Sequence, residues 1–149
     1  KSAEGGNSNS IRFPRGLIKS DSYDFSFSGL KTALLYYMDD YSNENNIALN
    51  DIAASYQEAI IDILSNKLSR AVTYYNINTC VVAGGVAANK SLRKRIYTLL
   101  LNKKVIFPEF ELCTDNAAMV AYLGELKLKN DEQSEIDLGV LPNLKMITF

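Results

Sequence analysis

The clearest period in the chain lies between positions 52 and 72, where Ile52, Tyr56, Ala59, Ile60, Ile63, Leu64, Leu68 and Val72 recur three and four apart. Residues so spaced share one face of a 3.6-residue helix, which predicts an amphipathic helix reaching about Tyr75, with Asn50 or Asp51 as its cap. Upstream, Asp24-Phe25-Ser26-Phe27-Ser28 alternates polar and aromatic residues, the period of a half-buried strand. Gly29 ends that strand, and residues 30–41 are apolar enough for a second helix. Residues 11–14 read as a short strand, 16–23 as a connection and 42–49 as a polar loop. The small, polar residues 1–10 read as a loop or ragged start.

Downstream, Thr79-Cys80-Val81-Val82-Ala83 is short, apolar and β-branched, as expected of a strand covered on both faces. Gly84-Gly85 stops it. A helix is expected from about Asn89, with Leu92, Ile96, Leu99 and Leu100 on one face. Val105-Ile106-Phe107 reads as another strand, stopped by Pro108. Thr114 is then expected to cap a helix whose inner face carries Met119, Tyr122, Leu123 and Leu126. Beyond Asn130 the chain turns polar and closes in a Gly-Val-Leu-Pro tail. The order strand, helix, helix, strand, helix, strand, helix predicts an α/β fold without an internal repeat.

Composition narrows the chemistry. At 149 residues and 47 % hydrophobic, the chain can bury a core. Its net charge of −1 means that any nucleic-acid contact must come from a local patch or from outside this segment. The two cysteines, Cys80 and Cys113, form no CxxC pair, which argues against a thiolate metal site and fits a reducing compartment. Histidine is absent, so the commonest general base and transition-metal ligand is missing from these residues. No apolar run approaches a membrane span, and no signal-peptide layout opens the sequence.

Four local patterns could carry chemistry, and each has a plainer alternative. In Val81-Val82-Ala83-Gly84-Gly85-Val86-Ala87-Ala88-Asn89 a strand runs into two glycines and then a helix. Without Cβ atoms, Gly84 and Gly85 would let a ligand approach the backbone, and the helix beyond would offer N–H groups to an anion. The same residues also suit an ordinary tight turn, with Asn89 only as the helix cap. Asn89-Lys90-Ser91 matches a glycosylation sequon, a use rejected because nothing points to secretion. In Cys113-Thr114-Asp115-Asn116-Ala117-Ala118-Met119, Asp115 reads either as a first-turn carboxylate favoured by the helix dipole or as an oxygen ligand for a cation. Lys31, at the start of a helix where a cation is slightly unfavourable, suggests an anionic partner, or else is a solvated lysine. Lys90, Arg93, Lys94 and Arg95 form a basic face that is either merely solvated or fitted to phosphates.

Three segments appear together and in order: Phe25-Ser26-Phe27-Ser28-Gly29-Leu30-Lys31-Thr32, Val82-Ala83-Gly84-Gly85-Val86-Ala87-Ala88-Asn89 and Glu111-Leu112-Cys113-Thr114-Asp115-Asn116-Ala117-Ala118-Met119. With Phe13-Pro14-Arg15 and Asp51-Ile52-Ala53-Ala54-Ser55-Tyr56-Gln57-Glu58-Ala59, they resemble the tRNA threonylcarbamoyladenosine transferase family, formerly called O-sialoglycoprotein endopeptidase or glycoprotease. The resemblance covers nearly the whole chain. It implies the actin-like ATPase (sugar kinase/chaperone ATPase) fold of two RNase H-like lobes, and this chain would supply most of the second lobe, a mixed sheet flanked by helices. Residues 1–10 would be the loop entering it and 131–149 the closing tail, with the N-terminal lobe absent.

The resemblance also implies roles. Gly84, Gly85 and Asn89 match the adenylate-binding positions, and Asp115 matches a ligand of one divalent metal ion, iron first, with zinc or magnesium as alternatives. The remaining ligands would be histidines of a His-x-x-x-His helix in the other lobe. Lys31, Arg93, Lys94 and Arg95 remain candidates for phosphate or tRNA contact. The implied reaction is an acyl transfer of the threonylcarbamoyl group from threonylcarbamoyl-AMP to N6 of adenosine 37 in tRNAs that read codons beginning with A. The implied partners are that adenylate, tRNA and other proteins of the synthesis complex, with no membrane, in the cytoplasm or an organellar matrix. These 149 residues alone are expected to be inactive. Three other readings are weaker. A protease lacks HExxH and GxSxG, a sugar-kinase or chaperone lobe would not carry the Cys-Thr-Asp-Asn-Ala-Ala-Met segment, and a non-catalytic paralogue need not keep Asn89 and Asp115.

Overall fold

A computed structural model describes residues 2–44, 47–135, 137 and 139. The chain divides into two compact units, the first ending at Cys113 and the second beginning at Thr114. In the first unit the order is helix α1 (Ser28–Glu44), helix α2 (Leu49–Tyr74), strand β1 (Thr79–Val81), helix α3 (Lys90–Leu99) and strand β2 (Lys104–Ile106). Single 3-10 turns, Gly85–Ala88 and Phe110–Leu112, follow the two strands. The second unit holds helix α4 (Ala117–Lys129).

The helix expected from the strongest period is the spine of the first unit, and it buries two faces rather than one. Ile52, Ala59 and Ile63 meet Phe13 and Leu30, with Phe27, Leu34 and Tyr56 packed against them. Ile61 and Val72 meet Leu92, Ile96 and Leu100, with Leu64, Cys80 and Val105 completing the second cluster. Ile61, outside the expected stripe, is therefore as buried as Ile63. Each such side chain contributes roughly 1.5–3 kcal/mol when withdrawn from water. A helix covered on both sides also buries Ser55, Ser65 and Lys67. Their polar atoms stay partnered: Ser65 Oγ donates to the Ile61 carbonyl, and Lys67 Nζ donates to the Ser22 carbonyl at 2.6 Å.

The first unit is α/β as expected, but its sheet among the described residues is one parallel pair, β1 with β2, in register Thr79↔Lys104, Cys80↔Val105 and Val81↔Ile106. Parallel strands need a crossover, and α3 supplies it. The expectation of a strand covered on both faces fails. Cys80 and Val105 face the second cluster, whereas Val81 is 65 % exposed. The strands expected at 11–14 and 24–28 are absent too, because among the described residues no neighbouring strand offers those segments a ladder. They are extended connections held by side chains instead. Phe13 and Phe27 enter the first cluster, and Phe25 stacks on Phe27 at 6.2 Å. Ser28 already belongs to α1.

Residues 1–10 read as a loop or a ragged start; the described part is a loop, moored to α2. Asn7 N donates to Asp51 Oδ1 at 2.7 Å, and Ile11 N donates to Ser55 Oγ at 3.1 Å. Gly6 passes so close to α2 that a Cβ there would lie 2.2 Å from the Asn50 carbonyl oxygen. The helix starts earlier than expected: its cap is Ala48, without a side-chain bond, so Asn50 and Asp51 lie inside the first turn. Thr114 does not cap α4 either; Asn116 does, accepting from Met119 N at 3.0 Å. Leu99 is 43 % exposed, off the buried face of α3. The expected inner face of α4 is exposed as well, Met119, Tyr122, Leu123 and Leu126 included. Most of the expected closing tail lies outside the described residues.

Candidate functional site

The Gly84-Gly85 turn is built as its sequence suggests, with one addition. Gly84 has φ +91° and ψ 171°, a region essentially reserved for glycine. Among the described residues nothing lies within 4 Å of where a Cβ would stand on Gly84 or Gly85, so that side of the backbone is open. The addition is the 3-10 turn over Gly85–Ala88, which separates the glycines from α3. The α3 N-terminus is therefore not presented directly behind the glycines.

Asn89 ends that turn and caps α3. Its Oδ1 accepts from Leu92 N at 2.9 Å, and its Nδ2 donates to Gln57 Oε1 of α2 at 2.9 Å. The capping role is thus real, and the amide orientation follows from it, since the oxygen must face the N–H. One lone pair and one N–H of the amide remain. Beside Asn89 lies an open cleft of about 340 Å³ lined by Ala53, Tyr56, Gln57, Ile60 and Val86 among others. Its lining is largely apolar and includes the carboxamides of Gln57 and Asn89. Gln57 had not been singled out in the sequence; its signal was only its place within the Asp51–Ala59 match.

The four basic residues of α3 do not form one face. Lys90 and Lys94 are exposed. Arg93 turns inward: its Nε donates to the Ala87 carbonyl at 2.6 Å, and its Nη2 donates to the Pro108 carbonyl at 2.7 Å and to Cys113 Sγ at 3.2 Å. Its guanidinium also lies over the rings of Phe110, at 4.1 Å, and Phe107, at 4.8 Å. Arg95 points to α2, donating to Asp62 Oδ1 at 2.7 Å and pairing with Glu58. The hydrogen bond to Glu58 raises the Arg95 pKa above its ordinary value, against the opposing effect of burial. Arg15 completes the cluster by forking onto Asp62 Oδ2, at 3.2 Å from Nε and 3.0 Å from Nη2. Two carboxylates four apart on α2 were the legible signal for this network, since i and i+4 share a helix face.

Lys31 is exposed in the first turn of α1, and among the described residues no carboxylate pairs with it. Asp115 belongs to the second unit. It stands one residue before the Asn116 cap, outside the first turn where the dipole reading had placed it. Its side chain is exposed. Among the described residues no three His, Cys, Asp or Glu side chains converge. A single exposed carboxylate can be one ligand of a hard cation, but it does not make a site. Of the cysteines, Cys113 is buried, and burial raises the Cys80 pKa, which disfavours its thiolate. Among the described residues no helix is long and apolar enough to cross a membrane.

Comparison with known proteins gives these features a context. The family model described as tRNA N6-adenosine threonylcarbamoyltransferase matches residues 1–122. A protein of that name from Thermosipho africanus is 46 % identical over 148 residues, 98 % of this chain and 44 % of the relative. One from Clostridioides difficile is 41 % identical over 97 % of this chain and 44 % of its own length, and one from Kosmotoga olearia is 44 % identical over 93 % and 42 %. The chain therefore spans less than half the length of these curated relatives. It belongs to the tRNA N6-adenosine threonylcarbamoyltransferase family.

Proposed function

We propose that this chain is the second-lobe portion of a transferase that moves the threonylcarbamoyl group of threonylcarbamoyl-AMP to N6 of adenosine 37 in tRNAs reading codons that begin with A. The observation that carries the adenylate half of this reading is the Gly84-Gly85 turn. Its backbone is held in a glycine-only conformation with open space over both residues, next to the cleft at Asn89. An adenylate needs close backbone approach at its phosphate and a partly apolar wall for its ring, and in this reading the turn serves the first and the cleft the second. Asn89 keeps one donor and one acceptor for the nucleotide after capping α3.

The reaction is acyl transfer from a mixed anhydride. The N6 amine attacks the carbamoyl carbon, the carbon–oxygen bond to phosphate breaks, AMP leaves and N6 loses a proton. No covalent nucleophile on the chain is required. The residues named here bind and orient the adenylate, so their contribution is positional. In this reading Asp115 is one ligand of a divalent metal, iron first. The other ligands come from outside the described residues, and no step is routed through the metal. The wider proposal places the chain in an actin-like ATPase fold, working in the cytoplasm or an organellar matrix with other proteins of the modification complex. Of Lys31, Arg93, Lys94 and Arg95, the residues this reading assigns to tRNA phosphate, Lys31 and Lys94 are exposed, and the two arginines are engaged with neighbouring groups of the chain.

The test restores the chain to a full-length protein of the family and measures threonylcarbamoyladenosine in tRNA. Asp115→Ala should abolish the modification; unchanged activity would sink the metal assignment. The 149 residues alone should neither transfer the group nor bind the adenylate tightly, and either activity would overturn the reading that half the cleft lies elsewhere.

A further inference from the structure

We propose that Arg93 is a positioning residue that locks the Gly-Gly turn to the segment leading toward Asp115, so that the adenylate side of the site is set by a guanidinium that touches no substrate. Its three donor contacts reach two separate parts of the chain, the turn after β1 and the segment after β2. Nε holds the Ala87 carbonyl, two residues past Gly85. Nη2 holds the Pro108 carbonyl just beyond β2 and the Cys113 sulfur at the end of the first unit. Cys113 Sγ in turn donates to the Glu109 carbonyl at 3.3 Å, closing the Pro108–Cys113 turn on itself.

Geometry makes this a task for arginine. The acceptors lie in different directions, and the planar fork serves them while its flat faces meet Phe107 and Phe110. A lysine ammonium could reach one carbonyl but could not combine the fork with the two rings. Ala87 is itself 1 % exposed, so its carbonyl without Arg93 would be a partly buried acceptor lacking its partner. Two of the three long sequence motifs are joined here by one side chain: the turn through Ala87, and Glu111–Met119 through Cys113. This role replaces the phosphate contact that spacing alone had suggested for Arg93, and it rests on the transferase reading for its catalytic consequence.

The experiment compares the unsubstituted chain with Arg93→Met and Arg93→Lys. Hydrogen exchange should accelerate about tenfold at the amides of residues 87–89 and 110–113 together, while α2 amides keep their protection. Acceleration of one segment alone, of neither, or of α2 equally would overturn the coupling. If Arg93→Met does not fold, Arg93→Lys is read by the same criteria. In the full-length protein, Arg93→Lys should raise KM for threonylcarbamoyl-AMP about tenfold and leave kcat within about twofold, since a displaced turn weakens ground-state and transition-state binding alike. A thermal destabilisation with KM unmoved would refute positioning. If the unsubstituted full-length protein does not modify tRNA at all, the transferase reading fails, and the exchange result alone decides whether the clamp exists.

Discussion

Asp62→Ala tests the network that ties three parts of the first unit together. Asp62 accepts from Arg15 through Oδ2 and from Arg95 through Oδ1, so its removal takes a partner from two guanidinia at once. Its side chain is 22 % exposed, and those of Arg15 and Arg95 are 22 % and 34 % exposed. Exposed ion pairs contribute about 0.2–1 kcal/mol, whereas breaking a buried one costs about 3–5 kcal/mol. The network lies between these limits, and each arginine keeps a second partner: Glu58 for Arg95, and the Phe13 carbonyl at 2.6 Å for Arg15. A loss of about 2 kcal/mol follows, read as a lower urea midpoint with an unchanged slope and as a fall of about 8 °C in Tm. Asp62→Asn, which keeps an acceptor for one fork, should lose about half as much. Arg15→Met and Arg95→Met should be non-additive by about 0.5–1 kcal/mol, because they share one carboxylate. A change under about 0.5 kcal/mol for Asp62→Ala, or strict additivity of the arginine pair, would show that the contacts are surface decoration.

Further outcomes follow from the backbone and the thiols. Gly6→Ala should cost about 2–3 kcal/mol and open residues 2–12 to proteolysis, since its Cβ would meet the Asn50 backbone at 2.2 and 2.5 Å; an unchanged denaturation midpoint would refute that close approach. Gly84→Ala should cost about 2 kcal/mol from backbone strain, whereas Gly85→Ala, with ordinary φ and open space, should stay within about 0.5 kcal/mol; equal effects would contradict the turn geometry. Iodoacetamide near neutral pH should label Cys80 and Cys113 at least about tenfold more slowly in the folded chain than in urea, because one thiol is buried and burial raises the pKa of the other; rapid native labelling followed by mass spectrometry would count against both assignments.

How much of this was legible depended on whether the information was local. The α2 stripe, the short β1 and β2 runs and the Gly-Gly stop all follow from period and composition within a few residues, and they appear close to where the sequence placed them. The segments at 11–14 and 24–28 carry strand-like patterns too, but a strand exists only when another strand accepts its hydrogen bonds, and pattern cannot supply the neighbour. Helix caps failed for a related reason. Asp51 is a good cap by type, yet α2 begins at Leu49 and the Asp51 carboxylate accepts instead from Asn7, 44 positions away; Asn116 caps α4 where Thr114 was expected.

The sequence by itself determined the family, the α/β order from the first helix onward, the Gly-Gly turn and the absence of histidine, because each is written in residue identity and short spacing. Tertiary structure alone decided how the charges are used. On α3, spacing made Lys90, Arg93, Lys94 and Arg95 equivalent members of a basic face. Folding sends Arg93 to the Ala87 and Pro108 carbonyls and Arg95 to Glu58 and Asp62, and it leaves the two lysines to solvent. A guanidinium's role is fixed by which acceptors lie within hydrogen-bond reach, and those acceptors come from chain segments that only the packed core brings together.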